Sequence, residues 1–391
     1  MSDAASSPLP VAQPAVIVTA GVAGIALAAA VAGVAPAKLA LLAIGLGMGV
    51  ALYHAAFGFT GAYYRAIVDR DISGIVAQCL MLALAMVLFA PFLEAGEAFG
   101  RPVTGAVAPV GWSMLFGAFI FGIGMQLGGG CASGTLFTVG GGNLRMMVVL
   151  VFFCAGCFWA SLHMDWWWSL PDLGAVSLGA MIGWWPAVGL QMLMLSAIIV
   201  GLRLGGRRVK RPLWWDGEFN WRRLGQGPWP LFMGAGALAV LNALTLVVAG
   251  HPWSITWGFT LWAAKAAVAL GWDPTGASFW VGGFQERALA ASLLDDTTTI
   301  MNLGIIVGAL AAAGLAGRLR PSPRMPLRSL AAAVIGGLIM GYGARLAYGC
   351  NIGAFFSGVA STSLHGWAWI VAAVAGNLIG IRLRPLFRRD G

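Results

Sequence analysis

Apolar stretches long enough to cross a bilayer recur from one end of this chain to the other, separated by short segments of glycine, proline and charge. An α-helix needs roughly 17–25 apolar residues to cross the hydrocarbon of a membrane. Only helices and closed barrels satisfy their own backbone polar groups there. Charged residues make up 9% of the 391, against about a quarter in soluble domains. The chain therefore reads as an all-α polytopic membrane protein with no separate soluble domain. Candidate membrane segments lie near 14–35, 39–64, 73–93, 110–128, 146–162, 176–201, 230–249, 255–270, 276–294, 298–316, 329–347 and 365–381. Those ending at Cys131 and Cys350 are short and rich in glycine, and are expected to stop inside the membrane as broken or re-entrant helices.

The first thirteen residues lack the basic region of a cleaved signal peptide, so the segment from Ala15 to Ala35 is read as a retained first helix. The formal net charge of +9 sits in a few loop clusters and not along one helix. That distribution speaks of membrane orientation and against nucleic-acid binding. Arg203, Arg207, Arg208, Lys210, Arg211, Arg222 and Arg223 crowd loop 203–223, which the positive-inside rule makes cytoplasmic. The same rule places both termini on that side.

An internal repeat is the most informative feature. "GAFIFGIGMQLGGGCASGTLF" from Gly117 aligns without gaps on "GGLIMGYGARLAYGCNIGAFF" from Gly336, keeping Cys131 in register with Cys350. The chain divides into a tail 1–13, a first membrane repeat 14–162, a linking helix pair 163–254, a second repeat 255–381 and a basic tail 382–391. Matching loops carry opposite charge: Arg318, Arg320, Arg324 and Arg328, and then Arg382, Arg384, Arg388 and Arg389, stand where the first half has Glu94 and Glu97, and then Asp165 and Asp172. Opposite bias is what an inverted-topology repeat predicts. The two cysteine loops are expected to meet near the midplane, a transporter's usual substrate address.

Glycine permits the turns that break a helix and lets backbone amides approach a ligand. Gly130 and Gly134 around Cys131, and Gly349 and Gly353 around Cys350, are the candidate amide sites. The residues after each cysteine are read as short helices whose N-terminal amides favour an anion. A thiol at that position offers a soft contact. Intramembrane cations usually face a cavity, which adds Arg345 and Lys265 as candidates, with snorkelling to an interface the bland alternative for Lys265. Cys79, and the Cys154 and Cys157 of "CAGC", are read as packing residues. Asp295 and Asp296 are expected to cap the next segment. His54, His163, His251 and His365 are dispersed, so no metal site is supported, and no P-loop is present. No cofactor is implied.

"IGGLIMGYGARLAYGCNIGAFFSGVASTSLHGW", from Ile335 to Trp367, resembles the signature of the YeeE/YedE family of bacterial inner-membrane proteins, which includes thiosulfate transporters. "FGIGMQLGGGCASGT" is similar to that family's other cysteine loop, and "ITWGFTLWAAKAAVALGWDP" to its Trp-and-Lys segment. The resemblance implies a bundle of nine or more helices. It also implies import, not catalysis, of a small sulfur-containing anion, thiosulfate first, handed along by S–H contacts from Cys131 and Cys350. A third family cysteine falls here on Gly58, within "FGFTGAYYR", which opens the choice of anion to other sulfur or selenium species. A membrane thiol protein that traffics sulfur or selenium through persulfides or disulfides is the rival reading. Loop 203–223 is either a topology anchor or a docking surface for a cytoplasmic sulfur-carrier protein.

Overall fold

The computed structural model describes residues 11–215, 220–319 and 325–387; Arg320, Arg324, Arg388 and Arg389 lie outside them. Helices follow in order as α1 (Pro14–Val34), α2 (Leu39–His54), α3 (Phe59–Tyr64), α4 (Ser73–Ala95), α5 (Trp112–Gly128), α6 (Ala132–Gly140), α7 (Leu144–Ser161), α8 (Met164–Trp168) and α9 (Leu178–Ile182). They continue as α10 (Trp184–Leu204), α11 (Trp221–Gln226), α12 (Leu231–Ala249), α13 (Thr256–Ala269), α14 (Gly283–Ala290), α15 (Thr297–Leu315), α16 (Leu327–Leu346), α17 (Ser357–Ala360) and α18 (Leu364–Leu383). π-Helical turns at Arg65–Asp69 and Asn351–Phe356 extend α3 and precede α17. Short strands pair antiparallel in connecting loops: Glu97–Ala98 with Arg101–Pro102, and Pro109–Gly111 with Asp172–Ala175. Among the described residues, 10 helical stretches are long and apolar enough to cross a membrane, so the chain is a multi-pass, nearly all-helical membrane protein.

Three expected segments are different in the structure, the first being 255–270, which is the 14-residue α13 and is not among the ten spans. The stretch 39–64 is interrupted: α2 stops at His54, Ala56 takes a φ of 45°, and the chain restarts as α3 after Gly58. The stretch 276–294 forms no span; it holds 3₁₀ turns and the eight-residue α14. Asp296 caps α15 as expected, accepting the Thr299 N–H at 2.7 Å.

The bundle centres on crossings between α5 and α18 and between α16 and α7, and small residues make them possible. A Cβ on Gly122 would stand 2.1 Å from the Ala373 carbonyl oxygen, and one on the aligned Gly341 would stand 2.2 Å from that of Phe153. Likewise Gly376 faces the Phe119 carbonyl and Gly156 faces that of Leu338, the residue aligned with Phe119. The aligned pairs Gly122–Gly341 and Phe119–Leu338 thus make matching close contacts, α5 with α18 and α16 with α7. Around these crossings Phe121, Phe153, Phe259 and Trp369 are fully buried, with ring centroids 5.0 Å apart for Phe153–Phe259 and 5.4 Å for Phe121–Trp369.

The basic loop after α10 is fastened to the turn before α4. Arg208 N–H donates to the Arg70 carbonyl at 3.0 Å, and Ile72 N–H to the Arg208 carbonyl at 3.0 Å. Buried Asp71 accepts the N–H and hydroxyl of Ser73, the Lys210 N–H at 3.3 Å and Arg211 Nε at 3.0 Å. Burial by itself pushes this carboxyl up, but the Ser73 and Lys210 hydrogen bonds and the Arg211 charge outweigh it and hold it at about 2. An unfolded aspartate titrates near ~3.9. A depressed folded value stabilises above that pH and is lost as pH falls towards the folded one. Asp71→Asn is therefore expected to lower stability at neutral pH by about 1–3 kcal/mol. Thermal unfolding in detergent should show this gap narrowing between pH ~4 and pH ~2; a gap independent of pH would contradict the assignment.

Candidate functional site

Both repeat cysteines sit where a helix has broken. α5 ends at Gly128, and Gly129, at a φ of 81°, turns the chain left-handed while its N–H donates to the Met125 carbonyl. Cys131 is then the N-cap of α6, its sulfur accepting the Gly134 N–H at 3.4 Å, with Ser133 Oγ also 3.4 Å away. In the second repeat α16 ends at Leu346, and Gly349 adopts a φ of 150°. A Cβ at Gly349 would lie 2.8 Å from the Ala354 nitrogen, so no other residue fits that turn without moving the backbone. Cys350 caps the π-helical turn, its sulfur accepting the Ile352 N–H at 3.4 Å. Both thiols are buried, at 1% and 0% exposure, and all five cysteines are free.

Each sulfur therefore spends lone-pair capacity on a helix-start N–H, the task that serine or aspartate performs in water. Its own S–H proton is left to donate elsewhere. α6 and the helical turns Asn351–Phe356 and Ser357–Ala360 that follow Cys350 begin at these sulfurs, each giving one amide to its cysteine, which leaves the local backbone field positive.

A second interrupted segment supports each cysteine turn. α3 is tied to the end of α5, ahead of the Cys131 turn, by Gln126 Nε2 donating to the Thr60 carbonyl at 3.3 Å. Tyr63 on the same helix accepts a hydrogen bond from Asn351 Nδ2 at 3.2 Å, which links it to the Cys350 turn. On the other side, Trp253 N–H donates to Asn242 Oδ1 at 2.8 Å, Asn242 Nδ2 to Ser357 Oγ at 3.2 Å, and Ser357 Oγ to the Trp253 carbonyl at 2.8 Å. This closed ring clamps the chain before α13 onto the helix that follows Cys350. A Cβ on Gly353 would lie 3.4 Å from Ser254 Oγ. Near these turns Thr60 Oγ1, Thr135 Oγ1 and Asn351 Oδ1 are buried without a hydrogen-bond partner in the protein, so polar capacity there remains for a ligand or water.

Of the glycines expected at the site, Gly134 donates its amide to Cys131, Gly130 packs by Thr135 and Met146, and Gly349 and Gly353 flank the Cys350 cap. Arg345 lies one turn before Cys350, half-buried, with its guanidinium carbon 5.3 Å from the Phe279 ring centroid and Nε unpartnered. Lys265 is engaged otherwise: Nζ donates to the Leu289 and Ala291 carbonyls at 2.7 and 2.6 Å, closing the end of α14.

Sequence reasoning passed over Arg145. It donates through Nη2 to the Leu127 carbonyl at 2.9 Å, through Nη1 to that of Gly128 and through Nε to Ser329 Oγ at 3.0 Å. It thereby satisfies carbonyls left open where α5 stops. With Gln126, Ser329 and Arg384 it lines a cleft of about 160 Å³ beside the Cys131 turn. Gln126, the repeat counterpart of Arg345, donates to Asn377 Oδ1 at 2.7 Å and the Thr60 carbonyl at 3.3 Å, tying α18 and α3 to the end of α5. Asn351 and Asn242 were missed as well, since each acts through a partner distant in the chain, and so were Thr60 and Thr135, whose buried, unpartnered hydroxyls follow from tertiary packing alone.

Interrupted helices that meet inside a multi-pass bundle are the site architecture of membrane transport proteins. Residues 54–379 match the family model described as sulphur transport, and the chain belongs to that family. Over 178 residues it is 35% identical to the probable transporter YedE of Escherichia coli (strain K12), covering 45% of this chain and 42% of that protein. The YedE of Salmonella typhimurium (strain LT2) is 35% identical over 164 residues, 41% of this chain and 39% of its own length. The chain thus spans less than half of either YedE. It is also 27% identical to the thiosulfate transporter TsuA of Spirochaeta thermophila over 357 residues, 86% of this chain and 96% of that one.

Arg145→Ala strips the cap from two carbonyls at the α5 break, and hydrogen bonds to a charged group contribute about 1.5–3 kcal/mol each. The expected result is a clear fall in thermal stability in detergent, with Arg145→Lys recovering only part of it because a point charge cannot bridge two carbonyls and Ser329. A variant as stable as the parent would show that the carbonyls need no such cap.

Proposed function

We propose that this protein carries a small sulfur-containing anion, thiosulfate first, across a bacterial inner membrane through a constriction between Cys131 and Cys350. The observation that carries this reading is the pair of buried thiols capping broken helices at one register of the repeat. An anion arriving there meets helix-start amides that offset its charge. The two S–H groups donate to its terminal sulfur or its oxygens, and Thr60, Thr135 and Asn351 supply further polar contacts. S–H is a weak donor, and conduction needs binding strong enough to admit the ion and weak enough to release it. The likeness to TsuA supports thiosulfate as the first candidate; Gly58 leaves other sulfur and selenium anions in the set.

On the same reading the halves, 14–162 and 255–381 with 163–254 as linker, are inverted repeats, which the reciprocal Gly122, Gly341, Gly156 and Gly376 contacts favour. The cleft beside Arg145 and Arg384 is then the cytoplasmic mouth and Arg345 guards the opposite one. Both termini and loop 203–223 face the cytoplasm, where the loop offers a basic surface to a soluble sulfur carrier. Lys265, engaged with the end of α14, orders that outer loop and does not touch the ion.

Uptake of radiolabelled thiosulfate into cells lacking other routes tests the reading. Losing one hydrogen bond to a charged ligand is worth roughly a 10–100-fold effect, so Cys131→Ala and Cys350→Ala, at matched membrane levels, should each reduce uptake by at least that lower figure. Uptake undiminished in the double variant would overturn it.

A further inference from the structure

The outer wall of the bundle carries a groove of about 480 Å³ between α4, α10 and α18. Leu82, Leu195, Ile198, Val371 and Val374 line it, and beyond them the lining is apolar except at Gln78, Cys79, Tyr63 and one end, where Arg207 stands. Val371 is 72% and Ile198 41% exposed, so the groove opens sideways, where the acyl chains of the bilayer stand beside these spans. Its inner wall includes Tyr63 and Phe355, whose other faces belong to the Cys350 turn.

The charge at the end of the groove selects among occupants. Arg207 gives Nε to the Ala66 carbonyl at 3.1 Å, which fixes its side chain in the lining of the groove. Among the described residues the ion pairs are Lys38–Asp295 and Arg211–Asp71, and Arg207 is in neither. Arg203, in the last turn of α10, and Arg208 and Lys210 stand in the same short segment; among the described residues, the fold brings Asp69 and Asp71 to this segment, the second already held by Arg211, while Asp216 and Glu218 lie outside the described residues. An apolar trough inside the membrane that ends on a guanidinium at headgroup level has the chemistry of one lipid tail joined to one phosphate.

We infer that this groove holds a single anionic glycerophospholipid, its acyl chain between α10 and α18 and its phosphate on Arg207. The test is native mass spectrometry of the purified full chain with added phosphatidylglycerol or phosphatidylcholine of identical tails. One basic residue at a membrane surface corresponds to about a fivefold preference for an anionic lipid, so phosphatidylglycerol should be retained about that much more tightly. Arg207→Ala should bring it down to the phosphatidylcholine level, Arg207→Lys should keep most of the preference, and Val371→Trp, at an exposed position, should weaken both lipids. Equal retention of the two lipids by the intact chain, or a preference unchanged in Arg207→Ala, would overturn the inference. So would a dimer that grows as lipid is withdrawn and disappears in Val371→Trp, since a second copy would then be the occupant.

Discussion

Within hydrocarbon an unpaired backbone N–H or C=O is penalised by several kcal/mol, so a helix can stop there only if something else satisfies its ends. In this protein the stops at Gly128 and Leu346 depend on such partners. At the α5 break Arg145 takes the last carbonyls, and Cys131 takes an N–H of the helix that follows. At the other break Cys350 performs the second task for Ile352. The wider frame, from the glycine-tight crossings of α5 with α18 and α16 with α7 to the Asn242–Ser357–Trp253 ring, keeps these interruptions from closing into continuous helices.

A thiol is an unusual choice of cap, and the choice bears on what the site can do. Serine would cap more strongly and bind water more strongly as well. Sulfur is soft and polarizable, accepts the amide weakly and still presents an S–H to a neighbour. On the proposed reading, two such groups among helix-start amides would recognise an anion by charge and by sulfur without holding it fast. That combination fits the sulphur transport family to which the chain belongs, and it makes a transporter of a sulfur-containing anion the economical reading of the geometry.

Much of the bundle was legible in the chain. Spans such as α4, α12 and α15 follow directly from runs of apolar residues bounded by Gly96, Gly250 and Asp296. The cysteine turns were legible too, because the repeat marks them twice. The break between α2 and α3 was not: it depends on Ala56 at positive φ, and alanine signals nothing of the kind. The stretch 276–294 is apolar because Phe279 and Trp280 bury against Trp257, Trp272 and Ser161 in an outer loop, which hydropathy cannot distinguish from a span. Arg145, Asn242 and Asn351 acquire their roles from partners far away in sequence, and composition or spacing carries no trace of those pairings. Lys265 illustrates the converse, a cation in an apolar run whose partners turned out to be carbonyls of the neighbouring α14.

The most direct measurement is anomalous diffraction from crystals of the intact protein soaked in selenosulfate, the selenium counterpart of thiosulfate. The account predicts a selenium peak between the Cys131 and Cys350 sulfurs, within hydrogen-bonding reach of at least one of them, and no such peak in the Cys131→Ala, Cys350→Ala double variant. A peak confined to the arginine cleft beside Gln126, or one that persists between the two turns when both thiols are gone, would contradict a passage built on the cysteines.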